Sequence, residues 1–216
     1  MYDLLIQNAR MIDGTGAPWY YGDLAVKDGK IAAMGKLTGD AKEVVDAGGL
    51  YLAPGFIDIH SHSDDSILDC PTAESRILQG VTTDVGGNCG GSEAPSQTFP
   101  AMADFLAAVE QARPSINSAT LVGHGTVRKA VMGYSREEAT DGQIAQMQAL
   151  TARAMEEGAF GISTGLIYPP SCYSTTDELV RVVSAVAPYG GYYATHMRNE
   201  SFDVVKSVEE ALHVAK

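Results

Sequence analysis

Cysteine is scarce in this 216-residue chain, with only Cys70, Cys89 and Cys172. An odd number without framework spacing excludes a disulfide-built fold and suits free thiols in a reducing cytoplasm. Long apolar runs are missing too. No stretch approaches the roughly 18 residues of a membrane-spanning helix. Met1-Tyr2-Asp3-Leu4-Leu5-Ile6 carries neither a basic n-region nor a long apolar h-region, so no signal peptide is expected. Positive charge is thin: 15 Lys and Arg against 27 Asp and Glu give a net charge of −12. Such a surface argues against nucleic acid and anionic membranes as partners, although a local site can differ in sign from the whole. Neither a GxGxxG fingerprint nor a Walker pattern occurs, which removes the common nucleotide-binding readings.

Glycine, by contrast, is plentiful at 23 residues, as expected of a fold with many tight strand–helix connections. Residues 1–51 alternate short apolar runs with turn clusters, including the hairpin signal Asp28-Gly29. They read as a small antiparallel β subdomain with no obvious catalytic constellation. From residue 52 to 216 the rhythm changes to strand and helix in alternation. Strands are expected over 52–59, 81–85, 119–122, 159–163 and 192–195. Helices are expected over 72–78, 98–111, 141–157, 176–186 and 202–216, with Thr175 or Thr176 capping the fourth. Regular βα repetition implies parallel strands with covering helices, either a barrel or an open doubly wound sheet.

The residues at strand ends favour the barrel. His60 and His62, Cys89, His124, Ser163 and His196 each fall at or just past the C-terminal end of a strand. A barrel gathers those ends on one rim, where its active sites lie, whereas an open sheet spreads them along a line. A barrel needs eight strands and about 250 residues, and only five βα units are present. The expectation is therefore a truncated (β/α) barrel, or one whose missing strands come from a partner.

Pro54-Gly55-Phe56-Ile57-Asp58-Ile59-His60-Ser61-His62 is the centre of the chain. On an extended strand, residues two apart face the same side, so His60 and His62 can converge on one divalent metal. Two exposed loop histidines would look the same in isolation. Cys89, in Gly87-Asn88-Cys89-Gly90 after a strand, could be a metal-ligating thiolate or a buried structural thiol. His196 is a metal-ligand or acid–base candidate. His124 is either a substrate contact or a hydrogen-bonded rim histidine. Tyr168, stiffened by Pro169-Pro170, could bind a substrate oxygen or simply pack. Asp64 and Asp65 could support the histidines or form a solvated turn. Asp58 could orient a ligand or pack in its strand, and Arg198 could attract an anion or make a structural ion pair.

Together these stretches resemble the amidohydrolase superfamily, and within it the N-acyl-D-amino-acid deacylases (D-aminoacylases). The Pro54-to-His62 run marks only the superfamily. Gly87-Asn88-Cys89-Gly90, Ser163-Thr164-Gly165-Leu166 with Tyr168-Pro169-Pro170, and Thr195-His196-Met197-Arg198 are the more specific signals. The resemblance implies a (β/α)8 barrel beside a composite β-sandwich built from both chain ends. It implies one or two Zn2+ ions, with His60 and His62 on one position, Cys89 shared, and His196 on the second. Tyr168 would lie near the carboxylate of a small-molecule N-acyl-D-amino acid. Its amide would be cleaved by metal-activated water, helped by an aspartate from the eighth strand. The expected fourth strand, 159–163, lacks the carbamylated lysine of many superfamily members. Cys89 therefore favours a deacylase over a cyclic-amide hydrolase. The sixth-strand histidine and the aspartate are absent, so the 216 residues alone are expected to be inactive. A non-catalytic metal-binding half-barrel or interaction module is the alternative.

Overall fold

Asp28 and Gly29, with φ of 51° and 72°, make the two-residue turn expected of their sequence, since both positions of a primed turn need positive φ. The computed structural model, which describes residues 1–216, places this turn between β2 (Tyr20–Lys27) and β3 (Lys30–Gly35). β2 in turn pairs with β1 (Tyr2–Met11), also antiparallel. β4 (Ala41–Asp46) and β5 (Tyr51–Leu52) lie end to end along the other edge of β1, both parallel to it. The sheet is thus mixed rather than wholly antiparallel. After β3 the chain crosses over instead of forming another hairpin, and only a crossover can deliver a parallel neighbour. β1 is central, and its Leu5, Ala9 and Met11 are buried. A bulge between Ile6 and Ala9 accommodates Asn8 at φ 58°, whose side-chain amide donates to Asp46 at 2.9 Å. The guanidinium of Arg10 lies over the rings of Trp19 and Tyr51.

This unit comprises Met1–Gly55, and Phe56–Lys216 form a second. The second is built on parallel strands: β6 (Phe56–Asp58), β7 (Val81–Gly86), β8 (Asn117–Thr120), β9 (Val122–Gly123), β10 (Gly161–Gly165) and β11 (Tyr192–His196). The expected strand over 52–59 is split by Pro54-Gly55 into β5 and β6. The segment 117–123 is one strand interrupted at Leu121. Its β8 half pairs with β7 and its β9 half with β10. The bonds Leu121 N–H to Gly86 O and Phe160 N–H to Thr120 O carry the pairing across the break. Five parallel strand positions therefore follow in sequence order, as in part of a (β/α) barrel wall. The arc does not close. Its first strand, β6, exposes Phe56 and Ile57, and its last, β11, is only half-buried along its length.

Helices cover the outside of the arc. α1 (Glu74–Ile77), α2 (Met102–Ala112), α4 (Asp141–Glu156), α5 (Thr176–Val183) and α6 (Val204–Val214) fall where apolar spacing predicts them, each somewhat trimmed. α3 (His124–Met132) is the helix missed from sequence. It starts directly at the strand end, with glycines at 123, 125 and 133 masking its periodicity. Thr140 caps α4 through a reciprocal pair with Gln143, and Thr175 caps α5 through Glu178 N–H. The core lies between the arc and these helices. Phe105, Val122, Ile144, Met147, Ile162, Leu179 and Val182 are at most 3% exposed, each such burial contributing about 1.5–3 kcal/mol.

Candidate metal centre

β6 ends at Asp58, but the extended backbone runs on, because Ser61 N–H still bonds Val85 O of β7 at 3.0 Å. Alternation therefore holds through the histidines. Ser61 is buried, while His60 and His62 project to the open side with ring centroids 6.0 Å apart. Asp58 does not touch either imidazole. It accepts from the backbone N–H of His60 at 3.1 Å and pairs with Arg76, which also donates to Ser61 Oγ at 2.7 Å. Arg76 thus fastens the histidine segment from behind.

The thiol arrives from the end of β7. Cys89 holds φ 54°, a left-handed conformation that costs a non-glycine residue about 1–2 kcal/mol. The surrounding loop imposes it. Asn88 is buried and donates to Ser61 O and Val85 O. Asp64 accepts from Gly87 N–H at 2.8 Å, and Ser163 Oγ bonds both Gly87 and Gly90. Glycine is obligatory on both sides of the contact. A Cβ at Gly165 would lie 2.0 Å from Cys89 O, and one at Gly123 2.4 Å from Gly90 O. Asp64 is thus neither a solvated turn residue nor a partner of the imidazoles. It supports the cysteine loop, and its burial, partly offset by Gly87 N–H, pushes its carboxyl up to about 6. Asp65 is exposed.

Cys89 Sγ ends 3.4 Å from His60 Nε2 and 3.6 Å from His196 Nδ1. Donor atoms of His60, His62 and Cys89 all lie within 4.8 Å of one another. Two ligands of one tetrahedral zinc, at about 2.05 Å for nitrogen and 2.3 Å for sulfur, stand about 3.6 Å apart. The two thiol contacts match that spacing, so this donor set fits zinc. Burial pushes the Cys89 thiol up, and the Glu200 carboxylate adds to it; a bound cation acts in the opposite sense. On the far side, His196 Nε2 is buried without a hydrogen bond and faces Glu200 at 3.5 Å. The Tyr168 ring meets His196 edge-on, its hydroxyl 3.5 Å from Nδ1.

Two cavities flank the cluster. One of about 530 Å3 lies beside His60 and His62 and reaches Cys70 and Arg76. The other, about 230 Å3, is lined by Cys89, Tyr168 and Tyr134, with Lys129 as its one charged side chain.

Two strand-end residues are not in the cluster. His124 is fully buried, its Nδ1 on Ser171 Oγ and its Nε2 on Glu178, each at 3.1 Å. Arg128, also fully buried, shares Glu178. With both nitrogens engaged in the core, His124 is not placed to contact a substrate. Arg198 is likewise structural, forked onto Glu210 and bonded to the carbonyls of Cys172 and Ser174.

Residues 43–212 match the model described as the amidohydrolase family. The chain belongs to that family. It is 41% identical over 233 residues to a D-aminoacylase of Alcaligenes xylosoxydans xylosoxydans, a match spanning 100% of this chain and 48% of that protein. A D-aminoacylase structure from a study of its binuclear metal centre, with one-metal activation and second-metal attenuation, superposes with a TM-score of 0.93. That match is 39% identical over 99% of this chain and 49% of the other. An N-acyl-D-glutamate deacylase of Bordetella bronchiseptica, complexed with zinc and a phosphonate mimic of the tetrahedral intermediate, gives a TM-score of 0.94. It is 38% identical over 99% of this chain and 48% of that one. The chain spans about half the length of the curated relatives it matches.

Proposed function

We propose that these residues form part of a zinc-dependent amidohydrolase that cleaves the amide of N-acyl-D-amino acids, acting within a longer chain. One observation carries the reading: a single thiol lies at ligand spacing from imidazoles of two different strand ends, His60 and His196. That is the arrangement a thiolate shared between two metal positions needs. His60 and His62 would serve one position, His196 the other, and Cys89 both. Zinc, when bound, supplies Lewis-acid polarisation of a carbonyl and lowers the pKa of water.

The chain's own side chains do the rest. The Tyr168 hydroxyl, half-exposed beside His196, is placed to bind a substrate carboxylate or carbonyl oxygen. The cavity beside Cys89 would admit the acyl or side-chain end of the substrate. Asp58 and Asp64 are not free to act as general base, being committed to Arg76 and to Gly87 N–H, and Glu200 faces His196 Nε2. We assign that role to the part of the relatives' length that this chain does not span, which would also complete the barrel against the exposed edge of β6. The 216 residues alone would then bind metal without turnover. Three free cysteines fit a reducing compartment such as the cytoplasm. A cyclic-amide hydrolase carrying a lysine bridge is disfavoured, since β10, Gly161–Gly165, holds no lysine.

The test is hydrolysis of N-acetyl-D- against N-acetyl-L-amino acids by the native full-length protein, with zinc content measured in parallel. Hydrolysis confined to the D series, abolished together with zinc in Cys89→Ala, is the expected result. A zinc-loaded protein that hydrolyses neither series would identify a non-catalytic metal-binding module. Full zinc and activity in Cys89→Ala would sink the assignment.

A further inference from the structure

Asn88-Cys89-Gly90-Gly91 reverses the chain after β7, closed by Gly91 N–H on Asn88 O at 3.3 Å, with Cys89 and Gly90 at φ 54° and 78°. A turn with positive φ at both central positions ordinarily carries glycine, asparagine or aspartate there, so a cysteine in it needs support from outside the turn. A side chain supplies that support by bridging Gly87 to Gly90 around Cys89. Ser163 Oγ, on β10 and fully buried, donates to Gly87 O at 2.5 Å and accepts from Gly90 N–H at 2.9 Å. Two such bonds meeting at a tetrahedral oxygen hold their ends about 4.4 Å apart, against about 2.9 Å for a direct bond. The hydroxyl is a rung that holds Gly87 O and Gly90 N–H apart.

We propose that Ser163 is a positioning residue for the Cys89 thiolate. That brace is what lets Sγ sit 3.4 Å from His60 Nε2 and 3.6 Å from His196 Nδ1 at once. The other contacts to the loop cannot do this. Asn88 ties the loop to Ser61 and Val85, and Asp64 holds Gly87 N–H, but neither reaches Gly90, on the far side of Cys89. Without the hydroxyl, Gly87 O and Gly90 N–H both lose this partner. The loop is then free to shift, and Sγ withdraws from one histidine. This inference rests on the metal-centre reading above.

The test uses the native full-length protein and three variants, Ser163→Ala, Ser163→Thr and Ser163→Val. Zinc affinity is read by chelator competition, and the thiolate by its charge-transfer band to Co2+ substituted for zinc. Ser163→Ala and Ser163→Val should lose about 10–100-fold in affinity, the range for removing a group that supports a metal ligand, and should shift the cobalt–thiolate band. Ser163→Thr, which keeps the hydroxyl, should restore both. Wild-type affinity and band in Ala and Val would overturn the proposal. If the Ala variant does not fold, the Thr and Val pair, matched in shape, decides alone. Thr like wild type with Val altered supports the proposal, and no difference between them overturns it. A wild-type protein without any cobalt–thiolate band would overturn the metal-centre reading itself, and this inference with it.

Discussion

Gly165→Ala should damage metal binding more than any surface change nearby, because the added methyl meets backbone on a fixed element. Its Cβ would lie 2.0 Å from Cys89 O, 2.7 Å from Cys89 C and 2.9 Å from the Tyr168 ring. Reaching even 3.0 Å from that oxygen requires about 1 Å of movement. Strand β10 cannot easily yield, since it is paired on both sides. The cysteine loop must therefore shift, although Asn88 and Ser163 pin it. Overpacking of this kind costs about 1–3 kcal/mol. A metal site tolerates only about 0.2 Å in its ligand distances, so a loop shift of that size should weaken zinc by at least about tenfold, or about 1.4 kcal/mol. Chelator competition reads the affinity, and urea unfolding of the metal-free protein reads the packing cost. Gly142→Ala is the control. It lies within α4 with nothing within 4 Å of its added Cβ, and should stabilise by about 0.5–1 kcal/mol without touching zinc. A Gly165→Ala protein with wild-type affinity and an unchanged urea midpoint would refute the claim that this backbone contact sets the thiol.

Two further outcomes follow from groups outside the cluster. Glu178→Gln breaks the buried set it forms with His124 and Arg128. It should cost about 3–5 kcal/mol in urea unfolding, as removing one partner of a buried pair does, while zinc affinity in the folded protein stays within about twofold. Burial alone would raise the Glu210 carboxyl, but hydrogen bonds from Arg198 and Thr176 outweigh it and hold the group below its ordinary range. A folded pKa below the unfolded one contributes stability above the ordinary glutamate range, and that stability is lost as pH falls through the folded value. Glu210→Gln should flatten this part of the acid limb in pH-dependent unfolding; an unchanged limb would show that the Arg198 fork does not govern it.

The convergence of His60, His62, Cys89 and His196 was legible because its signals are local. Histidines two apart at a strand end, a cysteine in a glycine loop after the next strand, and a third histidine at a later strand end each announce themselves within a few residues. Parallel pairing in sequence order then brings those ends together. What escaped depends on partners far along the chain. His124 looked equivalent to His196 by position, but α3 begins at His124 itself, with no loop to carry the side chain outward. Its partner Glu178 lies 54 residues on, within a helix whose sequence shows only a capping pattern. Asp64 and Arg198 were ambiguous for the same reason: Gly87 N–H and Glu210 settle them, and neither pairing has a sequence signature. The parallel partners of β1 were hidden because a short run of alternating residues does not reveal the direction of its neighbour.

The strands of the arc divide the work of building the centre. The segment after β6, the turn after β7 and the end of β11 supply the donor atoms. β9 and β10, lying between the turn and β11 in the arc, supply almost none. Their residues at that level are Gly123, Ser163 and Gly165, whose missing or short side chains let the cysteine turn press against backbone. This explains how one thiol can reach a histidine from the first strand and another from the fifth. The intervening strands leave the rim empty for it to cross, and Ser163 alone rises from them to hold it there. A larger side chain at any of these three positions would fill the space that the thiol spans. The chemistry of the site therefore depends as much on what β9 and β10 omit as on what the histidine-bearing strands present.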